Sequence, residues 1–409
     1  MSNADVMGRS KMAATARRHL NALCSVTPDR RTGSPGNRTA TDYFANVTRT
    51  FGGEPEICSF PCMDWSHGSC TLDDGDAVYT IEVSPCSLGC DLVSTVNSAA
   101  TLDELESLDC SGRILLLTGD LASEQLMPKN FPFYNPESHR KLYATLEQKQ
   151  PVAIIAATRH NPEAAGALYP FPLIADGDFH IPCAHCSEET GGAIASKTGR
   201  TLHLIIDSAR RESSAANVIF RLSTGAPRKI LVTAHIDAYD NTPGATDNAA
   251  GVVVLLLLAE LIASDPPSTG VEIVALNGED HYSAAGQLDY LARYGDDLAN
   301  VRFVINIDGA GFREGATAYS FYDLSPDVQE SAVATFSNYP GLIEGQQWFA
   351  GDHSIFLQRD IPAIAFTSAR INEFLRSMAH TPKDSPDTVD CTKLVELADA
   401  LAHLLRTSA

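Results

Sequence analysis

The sequence predicts an α/β protein: a mixed, mainly parallel sheet sandwiched by helices, with a β-rich inserted domain. Three observations predict it. From Arg228 onward, continuous apolar runs alternate with helical segments, the pattern of strands buried on both faces of a parallel sheet. Between residues 56 and 212 the rhythm changes to short apolar runs separated by turn residues. The chain, at 409 residues, is long enough for more than one domain.

In chain order, residues 11 to 26 and 37 to 50 read as helices, the second introduced by the turn Thr32-Gly-Ser-Pro-Gly36. The segment 56–212 offers strands at Gly112–Thr118, Pro151–Ala157 and Leu202–Ile206, with a Pro- and aromatic-rich loop from Pro128 to Pro136. Strand Lys229–Ala234 then leads through a Gly/Pro/Asn loop into an apolar helix, Ala249 to Ala263. Strand Val271–Leu276, a helix near Ala284 to Tyr294 and strand Val301–Ile307 continue the alternation. Strand Ile361–Thr367 and an amphipathic helix from Thr392 to Leu405 close the chain.

Fifty-one acidic against 30 basic residues leave a formal net charge of −21. Such a chain repels nucleic acid and anionic membranes and favours cations. Residues 1 to 20 contain no apolar signal-peptide core, and the longest apolar run, Gly251 to Ala259, is too short to span a bilayer. A cytoplasmic protein with reduced thiols is the expectation, despite ten cysteines. Eight of them fall between Cys58 and Cys186. Their spacing, as in Cys183-Ala-His-Cys186, matches no standard zinc finger, so buried free thiols and a structural zinc are both open there.

Ligands of open α/β sheets bind beyond the carboxyl ends of the strands. Ionisable residues recur at those positions: His235 and Asp237 after the first strand of the alternation, Asp247 at the start of the long helix, Glu279 and Asp280 after the second strand, Asp308 after the third. His380 follows in a Pro-rich loop. Each has an ordinary reading by itself: Asp247 as a helix N-cap, His235 as a satisfied core histidine, the others as polar loop residues. Together, two imidazoles and several carboxylates form the donor set of zinc or a similar divalent ion, and acids so clustered repel unless a cation joins them.

The ordered motifs His235-Ile-Asp237, Gly244-Ala-Thr-Asp-Asn-Ala-Ala-Gly251, Glu279-Asp280, Asn306-Ile-Asp308, Gly351-Asp-His353 and His380-Thr-Pro382 resemble the co-catalytic zinc aminopeptidases, relatives of bacterial leucyl aminopeptidase, aminopeptidase Y and glutamate carboxypeptidase. The resemblance implies a zinc exopeptidase-like fold and an N-terminal-residue-releasing activity on peptides. Residues 56–212 more weakly resemble the protease-associated domain that many members carry. The expected organisation is therefore N-terminal helices (1–55) packing on a catalytic domain (213–409), with the insertion (56–212) between them.

Carried over by the resemblance, Asp247 bridges two divalent ions, most simply zinc. His235 and Asp308 complete one site, Asp280 and His380 the other. Asp237 orients His235, and Glu279 binds neither ion and acts as general base. Two departures stand out. The family usually has Glu where this chain has Asp280, which is one methylene shorter. Many relatives carry a tyrosine just before the last metal histidine, where this chain has Ala379, or shortly before the Asp-His pair, where it has Trp348. Trp348 and His353 are thus candidate oxyanion or substrate contacts, with an aromatic pocket wall and a structural histidine as their simpler readings.

A peptide is the expected substrate; no nucleic-acid or membrane partner is expected, and the sequence leaves oligomeric state open. A carboxypeptidase or dipeptidase of the same fold is the nearest rival activity, and a receptor-like or metal-binding protein without catalysis is the rival from another class.

Overall fold

The computed structural model describes residues 3–161, 166–222 and 228–407. It divides into two compact units, residues 1–62 with 214–409, and residues 63–213. The division points lie inside two long strands, Glu56–Asp73 and Thr201–Leu222. The turn residues of the sequence place the boundaries at 55/56 and 212/213, because a strand continuing from one unit into another leaves no local signal.

In the larger unit, four parallel strands form the centre of the sheet. Gly270–Leu276 pairs with Lys229–His235, Lys229–His235 with Val301–Ile307, and Val301–Ile307 with Ala363–Ser368. Antiparallel neighbours flank them: the last residues of Thr201–Leu222 on one side and Thr317–Tyr322 on the other, the latter carrying the short edge strand Leu342–Glu344. The sheet is mixed and mainly parallel, as its apolar runs predict. Lys229–His235 and Gly270–Leu276 are buried along almost their whole length, which is why neither alternates polar with apolar residues.

The long helix Ala250–Ser264 packs in the core with Asn3–Cys24 and Cys391–Thr407, and Pro35–Arg49 lies against it. Its burial on all sides explains a composition that is apolar all round. The stretch Ala245–Ser264 is long and apolar enough to cross a membrane, but 83% of it is buried inside the protein, the condition of a core helix. Pro35–Arg49 begins at an N-cap, where Ser34 accepts from the Asn37 N–H and Pro35 fills the first helical turn.

The smaller unit is less purely β than its sequence suggests. Parallel strands Cys90–Ala99, Ile114–Leu117, Ala153–Thr158 and Cys183–Ser187 follow one another, with Glu82–Val83 antiparallel at the edge. Helices Leu102–Ser107, Glu137–Lys149 and Glu188–Ala195 occur among them. Leu142, Tyr143 and Leu146 pack on Leu115, Leu117 and Ile154. The apolar face of Glu137–Lys149 is short and interrupted by charge, so the sequence pattern there is weak. None of the ten cysteines is joined in a disulfide.

Candidate metal centre

The register of the parallel strands sets the site. Leu276 lies opposite His235, so the loops leaving these strands start side by side, and Asp308 follows the end of the adjacent Val301–Ile307. Glycine shapes two of the loops. Gly278 has φ +98°, and a Cβ there would meet Gln287 Oε1 and the Gly286 nitrogen at 3.1 Å. Gly244 has φ +57°, and its Cβ would stand 2.6 Å from the Asp247 carbonyl oxygen. L-residues with side chains disfavour both geometries.

Asp247 lies at the centre. Its Oδ1 is 3.1 Å from His235 Nε2, while its Oδ2 is 3.3 Å from His380 Nε2. Asp308 Oδ1 stands 3.6 Å from the same His235 nitrogen. Asp280 Oδ1 stands 3.3 Å from the same His380 nitrogen. The five expected ligands thus fall into two sets that share Asp247. Among the described residues, His235, Asp247 and Asp280 are the one group whose donor atoms lie within 4.8 Å of one another in a metal-ligating arrangement. The cysteines of the smaller unit form no such group among the described residues. Despite its shorter side chain, Asp280 reaches the His380 imidazole.

Polar atoms that fall short of good hydrogen bonds mark the same place. Among the described residues, both His235 nitrogens, Asp237 Oδ1 and Asp280 Oδ2 are buried without a hydrogen-bond partner, whereas buried polar atoms ordinarily have one. Two imidazoles and three carboxylates with lone pairs turned inward fit a divalent cation.

Electrostatics points the same way. Burial works to lower the His235 pKa, yet the carboxylates of Asp308, Asp237 and Asp247 hold it well above the usual value. Burial likewise opposes a charge on His380, and Asp280 with Asp247 raises it well above. In the protein alone, the imidazolium rings supply the positive charge that the carboxylates demand. Burial raises the Glu279 carboxyl well above its usual range, with Asp280, Asp308 and Asp352 adding to the shift and His235 opposing it.

Asp237 sits behind His235. Its Oδ1 faces His235 Nδ1 at 3.6 Å, longer than a hydrogen bond. Its Oδ2 accepts from the Thr32 hydroxyl at 2.9 Å and from the Asp280 N–H at 3.2 Å. One carboxylate therefore touches both ligand loops.

Trp348 and His353 have different places. The Trp348 indole N–H is buried without a partner among the described residues. Gly351 lies between that ring and Asp308: a Cβ there would meet Trp348 Cζ3 at 2.7 Å and Asp308 Oδ2 at 3.3 Å. His353 is fully buried, and its Nε2 donates to the Trp348 carbonyl at 2.8 Å. Burial keeps the ring neutral by lowering its pKa, so its single N–H is committed to Trp348. The expectation that His353 contacts substrate gives way to a supporting place. Tyr322 completes that support, donating to the Trp348 carbonyl at 2.5 Å and accepting from the Trp348 N–H at 2.7 Å.

Several residues at the site carry no sequence signal. Tyr239 stacks on His380 with ring centroids 4.5 Å apart and planes 8° from parallel. Asp384 accepts from the Thr246 and Asp247 N–H groups. Gln287 donates to Asp352 at 3.0 Å. A helix N-cap pattern or an aromatic beside a histidine is too common in sequence to single these out.

Residues 217–405 match the model of peptidase family M28. Aminopeptidase YwaD of Bacillus subtilis (strain 168) is 25% identical over 330 residues, covering 73% of this chain and 71% of that protein. The probable lipoprotein aminopeptidase LpqL of Mycobacterium tuberculosis is 22% identical over 306 residues, 71% of this chain and 57% of that protein. Among solved structures, BSAP, a zinc aminopeptidase from Bacillus subtilis, superposes with a TM-score of 0.76 at 19% identity, covering 97% of this chain and 94% of that one.

Proposed function

Because residues 217–405 match the model of peptidase family M28, we propose that the chain is a dinuclear metal-dependent aminopeptidase that hydrolyses the N-terminal residue from peptides. The observation that carries the reading is the double use of Asp247, with one oxygen facing His235 and the other facing His380. His235 and Asp308 would hold one ion, His380 and Asp280 the other, with Asp247 between them and zinc the ion favoured by this donor set. Two divalent ions held there would polarise the scissile carbonyl and lower the pKa of the attacking water toward about 7.

Glu279 is next to a ligand in sequence without being one in this reading. Its carboxylate takes the proton of the attacking water and passes it to the leaving amine. Asp237 holds His235 from behind and, through the Asp280 N–H, steadies the second loop as well. The unpartnered indole N–H of Trp348, beside Gly351 and Asp308, donates to the oxygen that gains charge as the carbonyl becomes tetrahedral. A free substrate ammonium would meet Asp308 and, once bound cations offset the burial and repulsion that raise it, the Glu279 carboxylate, which is the ground for preferring the amino end of a peptide. Residues 56–212 are read, on sequence resemblance, as a protease-associated-like insertion.

Hydrolysis of an aminoacyl anilide against an N-blocked dipeptide tests the assignment. The account expects the first to be cleaved and the second spared. Preference for the blocked dipeptide would replace the aminopeptidase with a carboxypeptidase of the same fold.

A further inference from the structure

Arg30 is among the largest fully buried side chains of the described residues, 1% exposed, and the one charged residue of that group. Among the described residues it forms no ion pair; four hydrogen bonds of its side chain go to main-chain carbonyls, and the Cys24 thiol also lies against it. Nε donates to Ile236 at 3.1 Å, Nη1 to Leu23 at 3.2 Å and Pro243 at 2.5 Å, and Nη2 to Gly244 at 2.8 Å. A buried charge is costly without compensation, and here carbonyl dipoles supply most of it.

The acceptors are not scattered. Ile236 lies between His235 and Asp237. Pro243 and Gly244 lead directly into the irregular turn of Asp247, whose backbone is non-helical at φ −118°, ψ 87°. The Gly244 carbonyl also accepts from the Ala249 N–H at 3.0 Å, and one planar guanidinium with donors in a fixed fork ties both stretches together at once. The packing is close, since a Cβ at Gly244 would stand 2.8 Å from Arg30 Nη2. The same segment continues inward: Thr32 donates to Asp237, and Asn37 donates both to the Arg30 carbonyl at 2.9 Å and to Asn277 Oδ1 at 2.5 Å. Asn277 precedes Gly278 and Glu279.

We propose that Arg30 is a positioning residue of the metal centre: by bracing the carbonyls beside His235 and before Asp247, it sets the separation of these two ligands. The inference rests on the dinuclear reading above and deepens it. It assigns to an N-terminal segment, some 200 positions away in sequence, control over the ion held by His235, Asp247 and Asp308. The second ion, on Asp280 and His380, depends on it only through Asp247. Lysine cannot replace it, because one ammonium cannot span carbonyls on three separate stretches.

The test measures zinc stoichiometry, and zinc dissociation constants by chelator competition, for the whole chain and for Arg30→Lys, Arg30→Met and Thr32→Val, each with its metal-free Tm. Arg17→Met is the matched control, since Arg17 also donates to two loop carbonyls, those of Pro386 and Val389, which flank no ligand. The expected result is loss of one ion first, with affinity for it about 10–100-fold weaker in Arg30→Lys, beyond any change in Arg17→Met at equal loss of Tm. If Arg30→Met does not fold, Arg30→Lys and Thr32→Val carry the comparison. Wild-type affinity for both ions in Arg30→Lys, or weakening no greater than in the control, overturns the inference while leaving the dinuclear reading intact. A wild-type chain that binds no zinc overturns that reading, and this inference with it.

Discussion

Asp384 lies four residues after His380 and grips the backbone of Asp247: one carboxylate oxygen accepts from the Thr246 N–H at 2.8 Å and the other from the Asp247 N–H at 3.1 Å. A residue of the His380 loop thus fixes the main chain of Asp247, the residue proposed to be shared by the two ions. Asp384→Ala removes the acceptor of two buried N–H groups, which costs about 1–3 kcal/mol for each group left unpaired. The variant is expected to unfold at lower denaturant concentration and to hold metal more weakly. Unchanged midpoint and metal affinity would show that Asp384 is dispensable to the centre.

Glu279→Gln keeps the side chain's size and removes its basicity. The account expects kcat to fall by about 10²–10⁴-fold, with metal content equal to that of the wild type. Metal lost together with activity would instead make Glu279 a ligand, and would reassign the adjacent Asp280.

Trp348→Phe removes the indole N–H while retaining an aromatic ring beside Gly351. Loss of one oxyanion donor lowers kcat by roughly 10²–10³-fold, and KM is expected to change little. A kcat equal to that of the wild type would leave Trp348 as a pocket wall.

The pH dependence of the metal-free protein follows from the shifts at the site. His235 and His380 are raised in the folded state, so their stabilisation is complete below the unfolded value of about 6.5 and is lost as pH rises through the folded values. Burial pushes Asp352 and Asp384 up to about 7. A raised acid binds more protons folded than unfolded, so it too costs stability, between about 4 and 7 as pH rises. Asp247 and Asp237 are lowered, against burial, by His235 and, for Asp247, His380 as well. Their stabilisation is lost only as pH falls below about 4. Tm of the metal-free protein is therefore expected to decline from pH 5 to 8. Metal must displace protons from the imidazoles, so the rise in Tm on adding zinc should grow over the same interval. Calorimetry with and without zinc checks both slopes, and a zinc effect that shrinks with pH would contradict the assignment of His235 and His380 as ligands.

Much of the central sheet is legible in the sequence because buried parallel strands are continuous apolar runs: Val301–Ile307 is read with its observed ends. Thr317–Tyr322 and Leu342–Glu344 are not, since an aromatic-rich flanking strand and a three-residue edge lack that signature. At the candidate site, the proposed ligands His235, Asp247, Asp280, Asp308 and His380 stand out in the sequence because ligand chemistry limits residue type and the strand ends limit place. Arg30, Thr32, Asp384 and Tyr239 are not legible, because their importance lies in which backbone or ring they touch after folding. Arg30 in particular looks like any surface arginine until its carbonyl partners are seen.

Metal titration of the stripped protein, read by release of an aminoacyl anilide and by bound metal per chain, tests the central claim most directly. The account predicts that activity reaches its full value only as a second ion binds, and that Asp280→Ala retains one ion with little activity. Full activity with a single tightly held ion per chain would contradict it.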